Sequence, residues 1–513
     1  MELSLSRSSI SYAKNVFTGV FTQEESTEAI VPDAMPDILR LVDADAVAYI
    51  RSKEADNGRV TVSGVIASSV VYVSDGEEGI RHFCCEIPFS LSGQSEEIDR
   101  HTRITASIRI CTVDAVLLNS RKVLVKAETS AELKCYQDTG DIFASKAEDE
   151  ESVNLLILPA VADITAAVSV REKTFVLSDE LTLPAGDPPI GEVLKVHSVL
   201  TVGDAKPVGN KAVFRGTCRT SLLYRAAGSN DIYSESFESE YSQIVEMDME
   251  LENAELQVIP MLTSAYYDHD VMSGGQEGRS VITELHAVAQ CVASMQLSAP
   301  YIQDAYSTKY ELELRKKELS CRSRTRQYDL GGVFMGTVEA SPRPTRVLHT
   351  TVLTSPVTIK REDDKQKLSS RLTAKLIYLS DDGGVYAALH TIEASVTCET
   401  DSVELEAQVR CSGEIYAMAS AGVIELRIPA EFTVTEYEKL TLAAIDAISV
   451  EEEQAIDMLS YPSIIVHFAA PGETMWSLAK KYNSTPAMIL EANALEPGES
   501  LCGRRLLITP QKR

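Results

Sequence analysis

The sequence predicts a mainly β protein, in which three tandem β-rich domains, each sandwich-like or barrel-like, are followed by a small βααβ domain. Three observations support this prediction. Apolar and polar residues alternate over many short segments, similar segments recur at a nearly constant spacing, and the pattern changes to short helices in the last fifty residues. Alternation with period two and one polar face is typical of an antiparallel sheet that covers a core.

An internal repeat organises most of the chain. Its landmarks are the tyrosines Tyr72, Tyr224 and Tyr378, the glycines Gly64 and Gly216, and the proline segments at 32–38 and 184–190. The tyrosines are spaced by 152 and 154 residues, and the glycines and prolines keep the first of these spacings. Because independent landmarks agree on one offset, we predict β domains at 20–140, 172–300 and 326–440.

Each copy contains the same order of predicted elements. The strand with the tyrosine is followed by a turn rich in Gly, Asp and Ser, which adopt positive φ at low cost in hairpins. A second strand follows, and then strands that alternate cleanly, such as 103–110 and 403–411. A final strand closes each copy, at 122–127, 281–287 and 423–428.

Two segments are predicted to connect the domains. A basic run lies between the second and third copies and consists of Arg315, Lys316, Lys317, Arg322, Arg324 and Arg326. It is interpreted as a solvated linker, with a contact for an acidic surface as the alternative. After the third copy, helical spacing predicts a short connecting helix with apolar positions Ile445, Ile448, Ile456 and Leu459.

Composition restricts the classes of partner. The formal net charge is −28, and residues 463–513 contribute +2, so the first 462 residues have a net charge of −30. Such an acidic body repels nucleic acid and anionic membranes.

The N-terminus lacks the apolar core of a signal peptide, and no run of 18 apolar residues occurs, so we expect a cytoplasmic protein without membrane insertion. Ten scattered cysteines without a C-x-x-C pair predict reduced thiols.

No sequence pattern indicates catalysis, a metal or a cofactor. None of the eight histidines forms an H-x-H or H-E-x-x-H pattern, and neither G-x-S-x-G nor a phosphate-binding loop occurs. A repeated β unit without a repeated polar constellation is typical of a scaffold. We therefore predict a non-enzyme with no catalytic residues, no metal site and no cofactor.

The last fifty residues show the pattern strand, helix, helix, strand. Thr474 can cap the first helix, Pro486 starts the second helix, and Asn493 ends it. The second strand, 506–508, is predicted to pair with the first. We expect Trp476, the only tryptophan, to anchor this small core.

This C-terminal segment, predicted as a domain at 463–511, resembles a LysM module through PGETMWSLA at 471–479 and GRRLLI at 503–508. LysM modules bind N-acetylglucosamine polymers in a shallow groove between two loops. The resemblance implies that the groove residues here are Gly472, Glu473, Thr474, Met475, Asn493, Ala494 and Leu495. Glu473 departs from the aspartate that is usual after the glycine. Fold maintenance is the alternative role for Gly472, Thr474 and Trp476.

The segment 28–38 is similar to the opening of SPOCS domains, also called DUF3794, which occur in spore envelope and coat proteins of spore-forming Firmicutes. Several such domains before one terminal LysM module is the layout of the SipL family of clostridial spore morphogenesis proteins. The second copy departs from the motif, because Ala185 and Pro189 stand where the first copy has Asp33 and Asp37. The resemblance implies a place in the mother-cell cytoplasm at the forespore surface.

Two functions follow from these resemblances. The first is a spore coat adaptor that docks through its LysM module on the coat morphogenetic ATPase or another coat protein. Its candidate partner contacts are Lys480, Lys481, Arg504 and Arg505. The alternative is a peptidoglycan-binding protein that attaches to cortex or cell wall through N-acetylglucosamine-containing glycan. Peptidoglycan hydrolases also carry LysM modules, so a hydrolase is a further candidate. A glycosidase needs two positioned carboxylates, but pairs of acidic residues are no evidence for a catalytic site in a chain with 76 of them.

Overall fold

The structure is a computed structural model that describes residues 2–76, 79–148, 151–269, 278–362, 365–400, 404–456 and 462–511. Within these ranges, the side chains of 319–323, 440 and 452–454 are not described. Strands dominate the described residues, and both helices found there lie in the C-terminal module. The predicted mainly β fold is confirmed.

The first two repeats have six strands each, and in the third repeat two of the six are each divided into two strands. The first repeat contains β1 Leu5–Ile30, β2 Ile38–Asp56, β3 Arg59–Ser74, β4 Ile80–Gln94, β5 Arg103–Asn119 and β6 Lys122–Ala147. The second contains β7 Leu155–Thr182, β8 Ile190–Val208, β9 Lys211–Ala226, β10 Ile232–Glu246, β11 Glu255–Asp268 and β12 Ser280–Ser307. The third contains β13 Tyr310–Glu339, β14 Pro344–Thr354, β15 Thr358–Glu362, β16 Lys365–Ser380, β17 Val385–Cys398, β18 Glu404–Cys411, β19 Tyr416–Ser420 and β20 Val423–Ala455.

Each repeat combines one short sheet with one long ribbon. The strand with the tyrosine (β3, β9 or β16) is central in the short sheet, as in the order β2-β3-β4. The first and last strands of each repeat form the ribbon, in the antiparallel pairs β1–β6, β7–β12 and β13–β20. Short sheet and ribbon face each other across one apolar core, which in the first repeat includes Val60, Ile66, Phe89, Val125 and Leu133. The repeats are therefore sandwiches.

The segments predicted as linker and connecting helix lie largely in strands. The basic run falls within β13, so it is part of a ribbon and not a solvated linker. The helix prediction is wrong up to Ala455, where β20 ends, and Leu459 lies outside the described residues. A β-bulge explains the misleading spacing: Asp446 is skipped in the pairing with β13, so Ile445 and Ile448 both point inward although they are three residues apart.

The outer parts of the three ribbons pack together into one body, which we call the stem (residues 2–13, 136–147, 155–167, 292–307, 310–318 and 442–455). All three ribbons contribute to its apolar centre, which includes Leu3, Ala144, Leu155, Ile302, Ala305, Ile445, Ile448 and Val450. Ala13 pairs with Ala167, which joins the first two ribbons, and the Leu3 N–H donates to the Ile448 carbonyl at 2.9 Å, which connects the first to the third. The three repeats therefore share a core.

At the opposite end, the three short sheets form a closed ring. The Arg81 guanidinium of the first repeat pairs with Glu192 of the second. Ser234 of the second repeat bonds His349 of the third at 3.0 Å. Arg40 of the first repeat donates to the Val385 carbonyl of the third at 2.7 Å, which closes the circle. β2, β8 and β14 have a β-bulge at the same place, and the skipped residues Val42, Leu194 and Leu348 meet in one apolar cluster.

The repeated tyrosines anchor the repeated proline segments. The Tyr72, Tyr224 and Tyr378 hydroxyls donate to the carbonyls of Pro36, Pro188 and Pro342, respectively, at 3.1 Å in every repeat. All three side chains are essentially inaccessible to solvent. The third repeat therefore keeps the anchor although most of its proline segment differs in sequence.

The repeated glycines are required by close approach of the backbone. A Cβ added at Gly216 would lie 2.1 Å from the Thr201 carbonyl oxygen and 2.5 Å from the Tyr241 ring. We expect Gly216→Ala to lower the free energy of unfolding by about 3 kcal/mol, because main chain cannot give way easily. Gly186→Ala is the control, since no atom lies within 4 Å of its added Cβ. Urea unfolding measures both, and equal midpoints would contradict the steric explanation.

Candidate functional site

The C-terminal module is a βααβ unit with its own apolar core. It contains β21 Ile465–Phe468, α1 Met475–Lys481, α2 Pro486–Asn493 and β22 Arg505–Ile508. The two strands are antiparallel neighbours. The core is made of Ala469, Leu478, Ala479, Ile489, Leu501, Leu506 and Ile508. The short helices contribute little stability alone, so this packing holds the two candidate groove loops in place.

The first candidate groove loop is tied down by its own side chains. Glu473 accepts hydrogen bonds from His467 Nε2 at 2.7 Å and from the Ala470 N–H at 2.8 Å. These two bonds, the one from His467 being the stronger influence, hold the pKa of Glu473 below its usual value. Thr474 is the N-cap of α1 and forms a reciprocal capping box with Ser477. Gly472 is exposed, with φ of 88°, and no atom lies within 4 Å of an added Cβ.

The second candidate groove loop starts with a structural asparagine. Asn493 donates to the carbonyls of Ile489 and Leu507 and accepts from the Leu507 N–H, each at 2.7 Å. This side chain therefore ties the end of α2 to β22. Ala494 is exposed in the left-handed region, with φ of 47°. Leu495 and, from the first loop, Met475 are half-buried against the module core.

The module is docked on the tip of the stem through one face of α1. The Trp476 ring packs edge-on against Tyr306, with ring centroids 4.9 Å apart. Trp476 Nε1 donates to Asp304 at 2.9 Å, and Lys480 Nζ lies 2.7 and 2.8 Å from the two oxygens of that carboxylate. Burial acts to raise the pKa of Asp304, but the bonds from Lys480 and Trp476 outweigh it and keep the pKa below its usual value.

Two further hydrogen bonds reinforce this contact from the turn between the two helices. The Tyr306 hydroxyl donates to the Ser484 carbonyl at 2.8 Å, and Asn483 Nδ2 donates to the Thr308 carbonyl at 3.1 Å. Both donors are buried. The module and the second repeat therefore share a polar and aromatic interface. Trp476, which we expected to anchor the module core, also anchors this interface.

The predicted cationic contacts differ in their surroundings. Lys480 is used in the stem interface, and Arg504 pairs with Glu499 at 2.7 Å. Lys481 lies over the Tyr482 ring, with its Nζ 5.2 Å from the centroid. Arg505 is exposed on β22 and lies opposite Phe468. Of these four side chains, Lys480 and Arg504 are therefore used in ion pairs within the chain.

One face of the module presents apolar side chains to solvent. We call it the outer face and define it by Ile464, Val466, Phe468 and Leu507, which are 63%, 54%, 69% and 43% exposed. Val466 and Leu507 lie opposite each other in the two-stranded sheet. The sequence did not predict this face, because alternation alone does not show which side of a strand is covered. The stem contact was equally invisible, since Asp304 and Tyr306 lie about 170 residues before Trp476.

No family model matches the sequence, and no curated protein matches it. Within the described ranges, no three His, Cys, Asp or Glu side chains are grouped so that they could hold a metal ion. None of the helices in the described part of the chain is both long and apolar enough to cross a membrane. Every cysteine whose side chain is described has a free thiol.

The stem contact gives a fluorescence prediction, because Trp476 is the only tryptophan. Tyr306→Ala removes the ring that covers the indole, so we expect a red shift of the tryptophan emission. The free energy of the unfolding transition that this emission follows should fall by about 3 kcal/mol. Urea titration followed by tryptophan fluorescence measures both. Tyr266→Ala is the matched control, since Tyr266 lies in the same repeat and is 61% exposed. Identical spectra for the two variants would rule out the docked arrangement.

Proposed function

We propose that the protein is a non-catalytic adaptor of spore envelope assembly, which acts in the mother-cell cytoplasm at the forespore surface. Its C-terminal module docks on the coat morphogenetic ATPase or another coat protein. The observation that supports this most is the order of parts: three copies of one β unit that resembles SPOCS domains, followed by one LysM-like module. The equivalent tyrosine anchors of all three copies support a repeated structural unit.

The chemistry of the module favours a protein partner. Thr474 and Asn493, two of the seven candidate groove residues, make their hydrogen bonds within the module, and so does Glu473. The outer face offers contiguous apolar area, which is the kind of surface that protein partners cover. Arg505 opposite Phe468 adds positive charge on a module with a net charge of +2. We therefore propose that the outer face binds a coat protein whose own apolar patch has an acidic rim.

Docking on the stem supports an adaptor role. Trp476 and Lys480 hold the module against the second repeat, while Phe468 and Val466 stay exposed. A fixed module loses less freedom on binding than one on a flexible linker, and such preorganisation raises affinity. The acidic body, with a net charge of −30 over 462 residues, would repel acidic proteins from every other direction.

A glycan-binding protein is the second candidate. The open space at Gly472 and the exposed left-handed residue Ala494 leave backbone groups accessible on both loops. N-acetyl groups need a backbone donor and acceptor more than charged side chains. Under this alternative the module binds N-acetylglucosamine polymers of cortex or cell wall.

Binding by the full-length protein distinguishes the two functions. One arm measures affinity for the purified coat morphogenetic ATPase, and the other measures affinity for N-acetylglucosamine oligomers and peptidoglycan. We expect ATPase binding that Phe468→Ser weakens by roughly 30-fold, which corresponds to a hot spot of about 2 kcal/mol. Arg505→Glu should weaken it as well. Val161→Ser, at a stem position that is 63% exposed, is the matched control.

Two results would decide against the adaptor. Tight glycan binding that Ala494→Glu abolishes, together with no ATPase binding, would establish the second candidate. ATPase binding that survives Phe468→Ser and Arg505→Glu would remove the outer face from the proposal. Thr474, Asn493 and Lys480 are unsuitable for this test, because their substitution would unfold or release the module.

A further inference from the structure

Four charged side chains are buried together where the three short sheets meet. Asp43 and Asp45 come from the first repeat, Lys195 from the second and Lys375 from the third. Their side chains are 4%, 6%, 3% and 8% exposed. We call this set the ring network. Removing charges from water is costly, so the ring network requires a physical explanation.

The four groups neutralise one another across the repeat boundaries. Lys195 Nζ lies 3.0 Å from Asp45 Oδ2 and 3.6 Å from Asp43 Oδ2, and it donates to Thr351 Oγ1 of the third repeat at 2.9 Å. Lys375 Nζ lies 2.8 Å from Asp43 Oδ1 and bonds the Ala44 carbonyl. Burial opposes the charged amine of Lys195, but Asp45 and Asp43 outweigh it and raise its pKa.

The network residues belong to three sets of equivalent positions, and Lys375 is equivalent to Ser69 and Ser221. Asp43, Lys195 and His349 each follow the shared β-bulge and lie opposite Val71, Leu223 and Ile377, respectively. Asp45, His197 and Thr351 form a second equivalent set, and they lie opposite Ser69, Ser221 and Lys375. One position in the fold therefore contains an acid, a base and a neutral imidazole in turn. The apolar neighbours Val42, Leu194 and Leu348 are, by contrast, alike in all three repeats.

This asymmetry restricts which repeats can share a ring. The first repeat contributes two carboxylates, and the second and third contribute one lysine each. A ring with two first repeats would bury four carboxylates against one lysine, and a ring without a first repeat would bury only cations. Like charges in such a site are strongly unfavourable. Only a ring with a single first repeat and two cationic repeats is neutral.

The connections between repeats lie at the end of the molecule opposite the ring. Leu5 pairs with Ala147, Leu155 with Ser307, and Tyr310 with Ala455, so each repeat begins and ends at the tip of the stem. The ring lies at the other end of the ribbons. Similar tandem domains are prone to exchange between chains, because the same surfaces occur repeatedly.

The geometry points to a registry function for the ring network: it admits one first repeat beside two cationic repeats, and it excludes an additional first repeat from a second copy. Buried ion pairs add little net stability compared with apolar residues of similar volume, but they can specify which elements assemble. The inference is independent of what the C-terminal module binds.

The test uses four variants of the full chain, refolded from urea. The first replaces the network by apolar residues (Asp43→Leu, Asp45→Leu, Lys195→Met, Lys375→Met). The second reverses the acids (Asp43→Lys, Asp45→Lys), the third reverses the bases (Lys195→Asp, Lys375→Asp), and the fourth combines both reversals. Circular dichroism gives the urea midpoint, and light scattering after gel filtration gives the mass distribution.

We expect the apolar variant to keep or raise the urea midpoint while it refolds to a mixture of masses that the wild type does not show. Each single-sign reversal should lower the midpoint, and the combined reversal should regain most of the loss, because neutrality within one chain is restored. An apolar variant that refolds to the wild-type mass distribution would overturn the inference. A combined reversal that is no more stable than either single-sign reversal would overturn the inference as well. This second result applies even if the apolar variant fails to fold.

Discussion

Tyr224→Ala is expected to lower the free energy of unfolding by roughly 3–5 kcal/mol, as loss of a buried aromatic ring typically does. Tyr224 is 0% exposed, and its ring stacks on Tyr233 with centroids 5.8 Å apart. The substitution leaves a cavity and removes the hydroxyl that bonds the Pro188 carbonyl. The urea midpoint monitored by circular dichroism measures the loss.

Tyr224→Phe separates the contribution of the hydroxyl to stability from that of the ring. It should cost about 1 kcal/mol, the usual net contribution of one hydrogen bond. Because the geometry is the same in every repeat, Tyr72→Phe and Tyr378→Phe should give similar values. A loss for Tyr224→Phe as large as that for Tyr224→Ala would show that the proline anchor, and not packing, dominates.

Acid is expected to destabilise the protein through His349. Burial, assisted by the charge of Lys195, lowers the pKa of His349 to about 3 from the ordinary 6.5. The unfolded chain therefore binds a proton below pH 6.5 that the folded chain does not, so stability falls as the pH decreases. Between pH 6.5 and 5 the loss from this one residue is roughly 2 kcal/mol. Urea midpoints measured across this range test it.

Polar and charged groups of all three repeats surround His349. Ser234 and Thr351 bond its two ring nitrogens, at 3.0 and 3.3 Å. Lys195, Asp45 and His197 act on it electrostatically, and burial also lowers the pKa of His197, which adds to the acid effect. His349→Gln should flatten the pH dependence, whereas His101→Gln, at an exposed position, should leave it unchanged. Equal slopes for His349→Gln and the wild type would contradict the prediction.

The local elements of the module were predictable from sequence. Thr474 caps α1 and Pro486 begins α2, as expected from residues whose preferences act over one helical turn. The connecting helix was not predictable, because the bulge at Asp446 produces a spacing of three within a strand. Local pattern cannot distinguish that spacing from a helix.

The assignment of individual side chains to a site was less predictable. Asn493 and Lys480 were predicted to face a ligand or partner, yet Asn493 ties α2 to β22 and Lys480 bonds Asp304. Both residues are polar and lie near loops, and such residues serve structure and binding equally well. The partner of Lys480 lies 176 residues away in the sequence. The partner of Asn493 lies on β22, whose position depends on the packing of the module.

The sequence by itself determined the repetition, the mainly β character and the βααβ order of the last fifty residues. Such features follow from periodicity, turn residues and caps, which act over a few residues. Only the tertiary structure decided that the three repeats close a ring around Asp43, Asp45, Lys195 and Lys375, and that Trp476 docks on Tyr306. These contacts join residues more than 100 positions apart. They form because burial and charge neutralisation are properties of the assembled molecule, and no local segment contains them.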